Sequence, residues 1–172
     1  SISIANSTIC NRKRTLSVKQ MIDIGDDIFK YHKEMLINHR FHARLELNTL
    51  EAYSPILERL KNGVIHELSL MNHTPGQGQY SSLEVFKVEI RKQYGDISPK
   101  RIDEIICECQ NKPLLSQCQI QNLLKTAQKN NIPIAYHDVE QESQLKFMKE
   151  NEISICEFPL NFDIAKKAHE QG

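Results

Sequence analysis

The sequence predicts an α/β fold built on a parallel sheet, and three observations support this prediction. Four apolar stretches of strand length are separated by segments with helical periodicity. Strands that alternate with helices along a chain form parallel sheets with right-handed crossovers. Three of the four stretches end in residues that could bind a metal, as at the carboxyl-terminal rim of a (β/α) barrel. We therefore expect a partial TIM-type barrel with parallel strands and helices outside.

The chain length limits how much of such a barrel can form. The chain has 172 residues, which is enough for one domain with a real core. A complete eight-stranded barrel usually needs about 250 residues. We expect residues 1–172 to form a single partial barrel domain, cut from something longer because the sequence starts without Met.

Composition argues against several classes of partner. The chain has 22 basic and 22 acidic residues, which disfavours nucleic-acid binding through a basic surface. No apolar stretch approaches the roughly 20 residues needed to cross a membrane, and the start does not resemble a signal peptide. The cysteines are odd in number and irregularly spaced: Cys10, Cys107, Cys109, Cys118 and Cys156. Free thiols in a reducing cytoplasm are the expected state, so we predict a cytoplasmic protein.

The first half of the chain alternates helices and strands. Ser17 is a suitable N-cap for the first helix, and Gly63 follows the end of the second. The predicted elements are a helix over 18–37, a strand over 41–47, a helix from 48 or 49 to 61, and a strand over 64–71. Residues 1–5 are expected to be the tail of one more strand.

The second half begins with three successive helices and then alternates again. Ser81 and Glu84 have the spacing of a capping box, and Pro99 occupies a favoured first helical position after Ser98. The predicted elements are a helix to about 94, a helix from 98 that ends before 113, a helix over 117–130, a strand over 132–136, a helix over 141–151, a strand over 153–156 and a helix over 162–171.

The first strand carries a row of polar residues on one face. Glu46 shares that face with His42 and Arg44, because side chains alternate along a strand with period two. A carboxylate at this position could bind a metal, and Arg44 could bind an anion of the substrate. A structural ion pair between Arg44 and Glu46 is an equally good interpretation.

His73 follows the second strand and opens a loop rich in glycine and glutamine. Glycine lets the backbone approach a ligand closely, and the amides that begin the next helix suit phosphate. Gly76, Gln77 and Gln79 are therefore candidate substrate contacts, and His73 is a candidate metal ligand. The alternative is an ordinary flexible connection between a strand and a helix.

His137 and Asp138 follow the third strand, and Glu157 follows the fourth. A neutral imidazole is a favoured zinc ligand, and a neighbouring carboxylate can orient a ligand or move protons. We assign a catalytic role to Asp138. His137 and Asp138 could instead bond only to their own loop backbone, and Glu157 could be a ligand, a base or a helix cap. Glu46, His73, His137 and Glu157 together predict a divalent metal site, with zinc expected.

Four segments in this order resemble one known family. They are residues 38–47, 68–80, 134–138 and 157–159. They resemble the PhnM-type proteins of phosphonate metabolism, a family within the amidohydrolase superfamily. The resemblance extends from about Val18 to Gly172, and its most specific part is the segment from His73 to Gln77.

The resemblance implies a fold and an activity. It implies a metal-dependent α/β barrel that hydrolyses α-D-ribose 1-methylphosphonate 5-triphosphate to the 5-phosphate and pyrophosphate, in the carbon–phosphorus lyase pathway. The four strands would correspond to the third to sixth of eight, with Glu46, His73 and His137 at ligand positions of the third, fourth and fifth. Glu157 stands where many relatives have histidine. The first-strand metal motif and the eighth-strand aspartate have no counterpart, so we expect a central fragment that is inactive alone.

The sequence is also compatible with two alternative functions. The protein could be a different amidohydrolase that cleaves an amide or a cyclic amide with the same metal centre. It could also be an inactive fragment that serves as an interaction module. The expected partner is a small phosphorylated ribose, and exposed edges of an open barrel would favour a homo-oligomer.

Overall fold

A computed structural model describes the backbone of residues 2–4 and all of residues 17–171. These residues contain five strands: β1 (Ile2–Ile4), β2 (His42–Glu46), β3 (Glu67–Met71), β4 (Ile134–His137) and β5 (Ile155–Glu157). They also contain seven α-helices: α1 (Val18–Tyr31), α2 (Tyr53–Lys61), α3 (Leu83–Tyr94), α4 (Pro99–Gln110), α5 (Gln117–Lys129), α6 (Glu142–Glu150) and α7 (Phe162–Glu170). None of the described helices is long and apolar enough to span a membrane.

The five strands form one parallel sheet in the order β1-β2-β3-β4-β5. Because crossovers between parallel strands are right-handed, strands that are added in sequential order keep their helices on one face. The predicted α/β class, with parallel strands flanked by helices, is confirmed. The expected extra strand near the start of the chain is β1.

The helix-facing side of the sheet is apolar. Ala43, Leu45, Leu68, Leu70 and Ile134 alternate along β2, β3 and β4, and none is more than 2% exposed. We call these five residues the apolar face. They pack in one core with buried side chains from five helices, which are Met21 and Ile22, Ile56 and Leu60, Leu123 and Leu124, Leu145 and Met148, and Ile164.

The opposite side of the sheet carries the intervening residues of β2, β3 and β4 together with Glu157 at the end of β5. Met71 and Ala135 lie on this side. We call six polar residues of this side the polar face: His42, Arg44, Glu46, Ser69, His137 and Glu157. The strand register places Arg44 beside Ser69, and His137 beside Glu157. Parallel pairing therefore brings side chains that are far apart in sequence onto one surface.

Helix α1 begins as predicted but ends earlier. Ser17 and Gln20 form a reciprocal capping box at its start. The helix ends at Tyr31 and not near residue 37, which corrects the sequence-based prediction. Leu36 and Ile37 are exposed, so no burial would stabilise further turns.

One contact fixes α1 closely against the sheet. A Cβ atom at Gly25 would lie 2.4 Å from the ring of Phe41, which is fully buried beside the start of β2. Such a separation is far inside van der Waals contact, so only glycine allows the helix to pack at this distance.

Two strands end one residue later than predicted. β4 extends to His137 and β5 to Glu157, where the sequence predicted ends at residues 136 and 156. β3 begins at Glu67, three residues after the predicted start. His137 and Glu157 thus lie within strands, with directions that the sheet fixes.

Helices α3 and α4 form a hairpin with a small core of its own. That core contains Phe86, Ile90, Ile102, Ile105, Ile106 and Cys109. Helix α3 starts at Leu83 without the predicted capping box, because the Ser81 amide instead donates to the Gly78 carbonyl and closes a 3-10 turn. Ser98 caps α4 as predicted, with Pro99 next to it. Gln110 donates to the Pro75 carbonyl and ties the hairpin to the loop after His73.

Candidate metal centre

Residues from successive strands meet at the carboxyl-terminal end of the sheet. Glu46 ends β2, His73 lies two residues after β3, His137 ends β4 with Asp138 next to it, and Glu157 ends β5. The rings of His73 and His137 lie 5.5 Å apart, edge to face. The structure therefore places the two histidines on the same side of the sheet and facing a shared space.

Two carboxylates hold His73. Its backbone amide donates to Glu46 Oε1 at 2.7 Å, and its Nδ1 lies 2.7 Å from Glu46 Oε2. Its Nε2 lies 3.1 Å from Asp138 Oδ2. Glu46 is only 1% exposed and uses both oxygens on His73, so it orients the imidazole, as carboxylates do behind metal-bound histidines.

His137 is in contact with Arg44. The Arg44 guanidinium Nη2 donates to His137 Nε2. Because a guanidinium can only donate, Nε2 carries the lone pair of a neutral ring and Nδ1 carries the proton. Nδ1 lies 2.9 Å from Asp138 Oδ1, but without the alignment of a hydrogen bond, and it is buried with no hydrogen-bond partner among the described residues.

The charges of the cluster follow from these contacts. Burial opposes protonation of His73, but its bonds to Asp138 and Glu46 outweigh burial and raise the pKa of His73 to about 9. Burial also opposes ionisation of Asp138, but His137 and His73 reverse this and lower the pKa of Asp138. In the absence of a metal, a protonated His73 is therefore stabilised between two carboxylates, and a metal ion would replace its proton.

His73, His137 and Asp138 could hold a metal ion. Each offers one ligand atom, and the three atoms lie within 4.8 Å of one another. Two imidazoles and a carboxylate suit zinc at a catalytic site, where three protein ligands leave a position for water. His137 Nδ1 is buried without a hydrogen-bond partner among the described residues, and a metal ion in place of its proton would give this atom the partner that buried polar atoms normally have.

The structure places the other two predicted metal ligands outside this group of three. Glu46 lies behind His73, as described above. Glu157 accepts a hydrogen bond from Ser69 Oγ, and its Oε1 lies 3.8 Å from Arg44 Nε. Asp138, which the sequence suggested for a catalytic role, lies with the two histidines.

Ser69 is a site residue that sequence reasoning missed. It is fully buried and lies between Leu68 and Leu70 of the apolar face. A small polar residue in the middle of an otherwise apolar strand was the available signal. With period two, it had to face the same side of the sheet as Arg44.

The loop after His73 folds over the site. Gly78 has φ of +54°, and a Cβ there would lie 3.3 Å from the Asn72 carbonyl oxygen and 3.5 Å from Asp138 Cβ. Gln77 accepts a hydrogen bond from the Asn72 side chain at 2.8 Å. The predicted contacts Gly76 and Gln79 are exposed on this loop, where a ligand could reach them.

Two residues beside the site have a left-handed backbone. Asp138 and Phe158 each directly follow a strand, and each has φ of +55°. Aspartate tolerates this region, but a bulky residue such as Phe158 rarely adopts it. The Asp138 amide donates to the Glu157 carbonyl, and the Phe158 ring lies 5.2 Å from that of His137. Asn131 and Glu152, which precede β4 and β5, have the same backbone conformation, so it is not confined to the site.

Comparison of the chain with family models, with curated proteins and with solved structures found no match.

Proposed function

We propose that the protein is a metal-dependent hydrolase that acts on a phosphoanhydride, with zinc held by His73, His137 and Asp138. The observation that supports this most strongly is the cluster itself. Its two imidazoles and one carboxylate lie within 4.8 Å of one another at the carboxyl-terminal end of a parallel sheet. Active sites of α/β barrels occupy this end, and a sequential strand order is the order within such a barrel.

The metal ion and the protein groups around it would have different roles in the reaction. When bound, the ion would supply a water of lowered pKa and neutralise charge on a phosphate oxygen. Glu46 fixes the orientation of His73 through two hydrogen bonds. Asp138 needs only one oxygen as a ligand, so we assign its second oxygen to accepting a proton from the reaction.

Nearby groups favour phosphate over an amide as the substrate group. Arg44 lies on the polar face next to His137, and a guanidinium matches the geometry of phosphate oxygens. Gly76, Gln77 and Gln79 lie on the loop that covers Asp138 and are exposed to solvent. A cyclic amide would give this arginine and this loop no comparable role.

The particular substrate follows from the resemblance described above. We propose α-D-ribose 1-methylphosphonate 5-triphosphate, cleaved to the 5-phosphate and pyrophosphate during cytoplasmic phosphonate breakdown. A triphosphate suits a protein with equal numbers of acidic and basic residues, because local groups rather than net charge would attract it.

Pyrophosphate release by the purified full-length protein tests this proposal, because the 172-residue chain alone is expected to be inactive. We expect release with zinc and none after chelation, and Asp138→Asn should lower the rate about 100-fold or more at saturating zinc. Asp96→Asn removes an exposed aspartate away from the site and should leave the rate unchanged. Hydrolysis of a cyclic amide without pyrophosphate release would contradict the phosphoanhydride assignment. Failure on both substrates with zinc bound would contradict the enzyme assignment.

A further inference from the structure

We infer that Arg44 and the metal ion compete for His137, and that Glu157, held by Ser69, is the alternative partner to which Arg44 moves when metal binds. This inference rests on the proposed metal site. It assigns a positioning role to Arg44, Glu157 and Ser69, which lie on three different strands of the polar face.

The competition follows from the single lone pair of a neutral imidazole. The Arg44 guanidinium donates to Nε2 of His137 and so uses that lone pair. A metal bound at Nε2 would take the place of Arg44 directly. A metal bound at Nδ1 would move the ring proton to Nε2, which would then face a guanidinium that can only donate. At either nitrogen, the metal and the Arg44 contact exclude each other.

Glu157 provides the second position for the guanidinium. Within the part of the chain that the structure describes, Arg44 Nε is buried without a hydrogen-bond partner, and Glu157 Oε1 lies 3.8 Å away. The other oxygen of Glu157 accepts from Ser69 Oγ, which fixes the carboxylate, while Oε1 makes no hydrogen bond with any described residue. His137 and Glu157 are paired in register on β4 and β5, so a small shift carries the guanidinium from one to the other.

This exchange would also keep the charges of the site paired. A hydrogen bond between a guanidinium and a carboxylate is stronger than one to a neutral imidazole. Moving Arg44 toward Glu157 draws its positive charge away from the incoming dication and leaves its remaining N–H groups for phosphate. Arg44 would thus raise the zinc concentration that loads the site, and Glu157 would lower it.

Zinc titration of variants tests the exchange. Exposed Cys107 and Cys118 could bind zinc elsewhere, so the relevant affinity is the part that His73→Ala removes. We expect Arg44→Met to bind zinc about tenfold more tightly or better, because it frees the lone pair of His137. Arg59→Met removes a comparably buried arginine on α2, which pairs with Asp26 of α1. This control variant should not change the zinc affinity.

A double-mutant cycle separates exchange from simple charge effects. Glu157→Gln should weaken zinc binding about tenfold when Arg44 is present, because the guanidinium loses its alternative partner. In the Arg44→Met background, Glu157→Gln should have little effect. Equal effects in both backgrounds would overturn the exchange.

A spectroscopic measurement on the unmodified protein gives an independent answer. The Nε–H group of Arg44, assigned by its loss in Arg44→Met, should shift in ¹⁵N-correlated spectra when zinc is added. The same signal should stay in place in His73→Ala. If zinc binds at the site but this signal and the Arg44→Met affinity do not change, the exchange is wrong and the metal site stands. If His73→Ala removes no zinc binding, the metal site itself is wrong.

Discussion

Neighbouring residues of each strand point to opposite faces of the sheet, and these two faces differ in polarity. On β2, Ala43 and Leu45 point into the helix-covered core, while His42, Arg44 and Glu46 form part of the polar face. The first set is fully buried and apolar, and the second is partly to fully buried and charged or polar. The same backbone thus supports both stability and chemistry, and the alternation of side chains keeps them apart.

The faces should respond differently to substitution. Each buried leucine or isoleucine side chain of the apolar face contributes about 1.5–3 kcal/mol through burial. Groups of the polar face are costly to bury unless they are paired, and their pairing with one another limits that cost. Changes on the apolar face should therefore lower stability, and changes on the polar face should mainly alter metal binding.

The largest effect is expected on the apolar face. Leu70→Ala removes a fully buried side chain from the main core and should lower the free energy of unfolding by about 2–5 kcal/mol. Urea unfolding measures this, and zinc affinity of the folded protein should not change. A large loss of zinc affinity with normal stability would show that the two faces are not separate.

His137→Ala should have the next largest effect, on metal binding. It removes one of the three proposed ligands, so zinc affinity should fall by more than about 100-fold. Loss of a residue that only hydrogen-bonds a ligand typically lowers metal affinity by about 10- to 100-fold. The His137 side chain is buried, with 8% of its surface exposed, so we also expect the free energy of unfolding to fall by about 1–2 kcal/mol. Calorimetric titration with zinc measures the affinity, and wild-type binding would contradict the ligand role of His137.

Glu46→Gln sharpens the comparison within the polar face. Glu46 contacts His73 and not the proposed metal, so losing its charge should weaken zinc binding about 10- to 100-fold, less than His137→Ala. The matched variant Glu67→Gln changes a carboxylate near His42 at the other end of the strands and should have little effect. An effect of Glu46→Gln as large as that of His137→Ala would indicate direct ligation by Glu46.

The smallest predicted effect concerns the packing of α1. Alanine favours helix over glycine by about 1 kcal/mol, but a Cβ at Gly25 would overlap the Phe41 ring. The overlap should outweigh the gain, so Gly25→Ala should lower the free energy of unfolding by about 1 kcal/mol net. Gly63→Ala tests backbone conformation alone, because no atom lies within 4 Å of its added Cβ. A stabilised Gly25→Ala variant would contradict the close packing.

The sequence predicted the helices and strands of the fold more completely than it predicted the contacts within the site. Apolar periodicity and caps such as Ser17 located the main helices and strands, because these signals are local in sequence. Helix ends were predicted less well: Leu36 and Ile37 have apolar character that the fold leaves exposed. The prediction of free thiols includes Cys10, which lies outside the described residues, while Cys107, Cys118 and Cys156 are free thiols.

Period two also predicted which side chains share a face, but not their partners. The Glu46–His73 contact spans 27 residues, the His73–Asp138 contact 65 and the Arg44–His137 contact 93. Such pairs depend on strand register and on the path of the loop after each strand. The sequence therefore suggested Glu46 and Glu157 as ligands, whereas the structure groups Asp138 with the two histidines.

X-ray absorption spectroscopy at the zinc edge tests the central claim most directly. If His73, His137 and Asp138 hold zinc, the protein loaded with one equivalent should show nitrogen and oxygen neighbours at about 2.0–2.1 Å with the outer scattering of two imidazoles. His73→Ala should lose one imidazole from that signal. A shell of sulfur at about 2.3 Å, or no retained zinc, would show that the cluster is not the metal site.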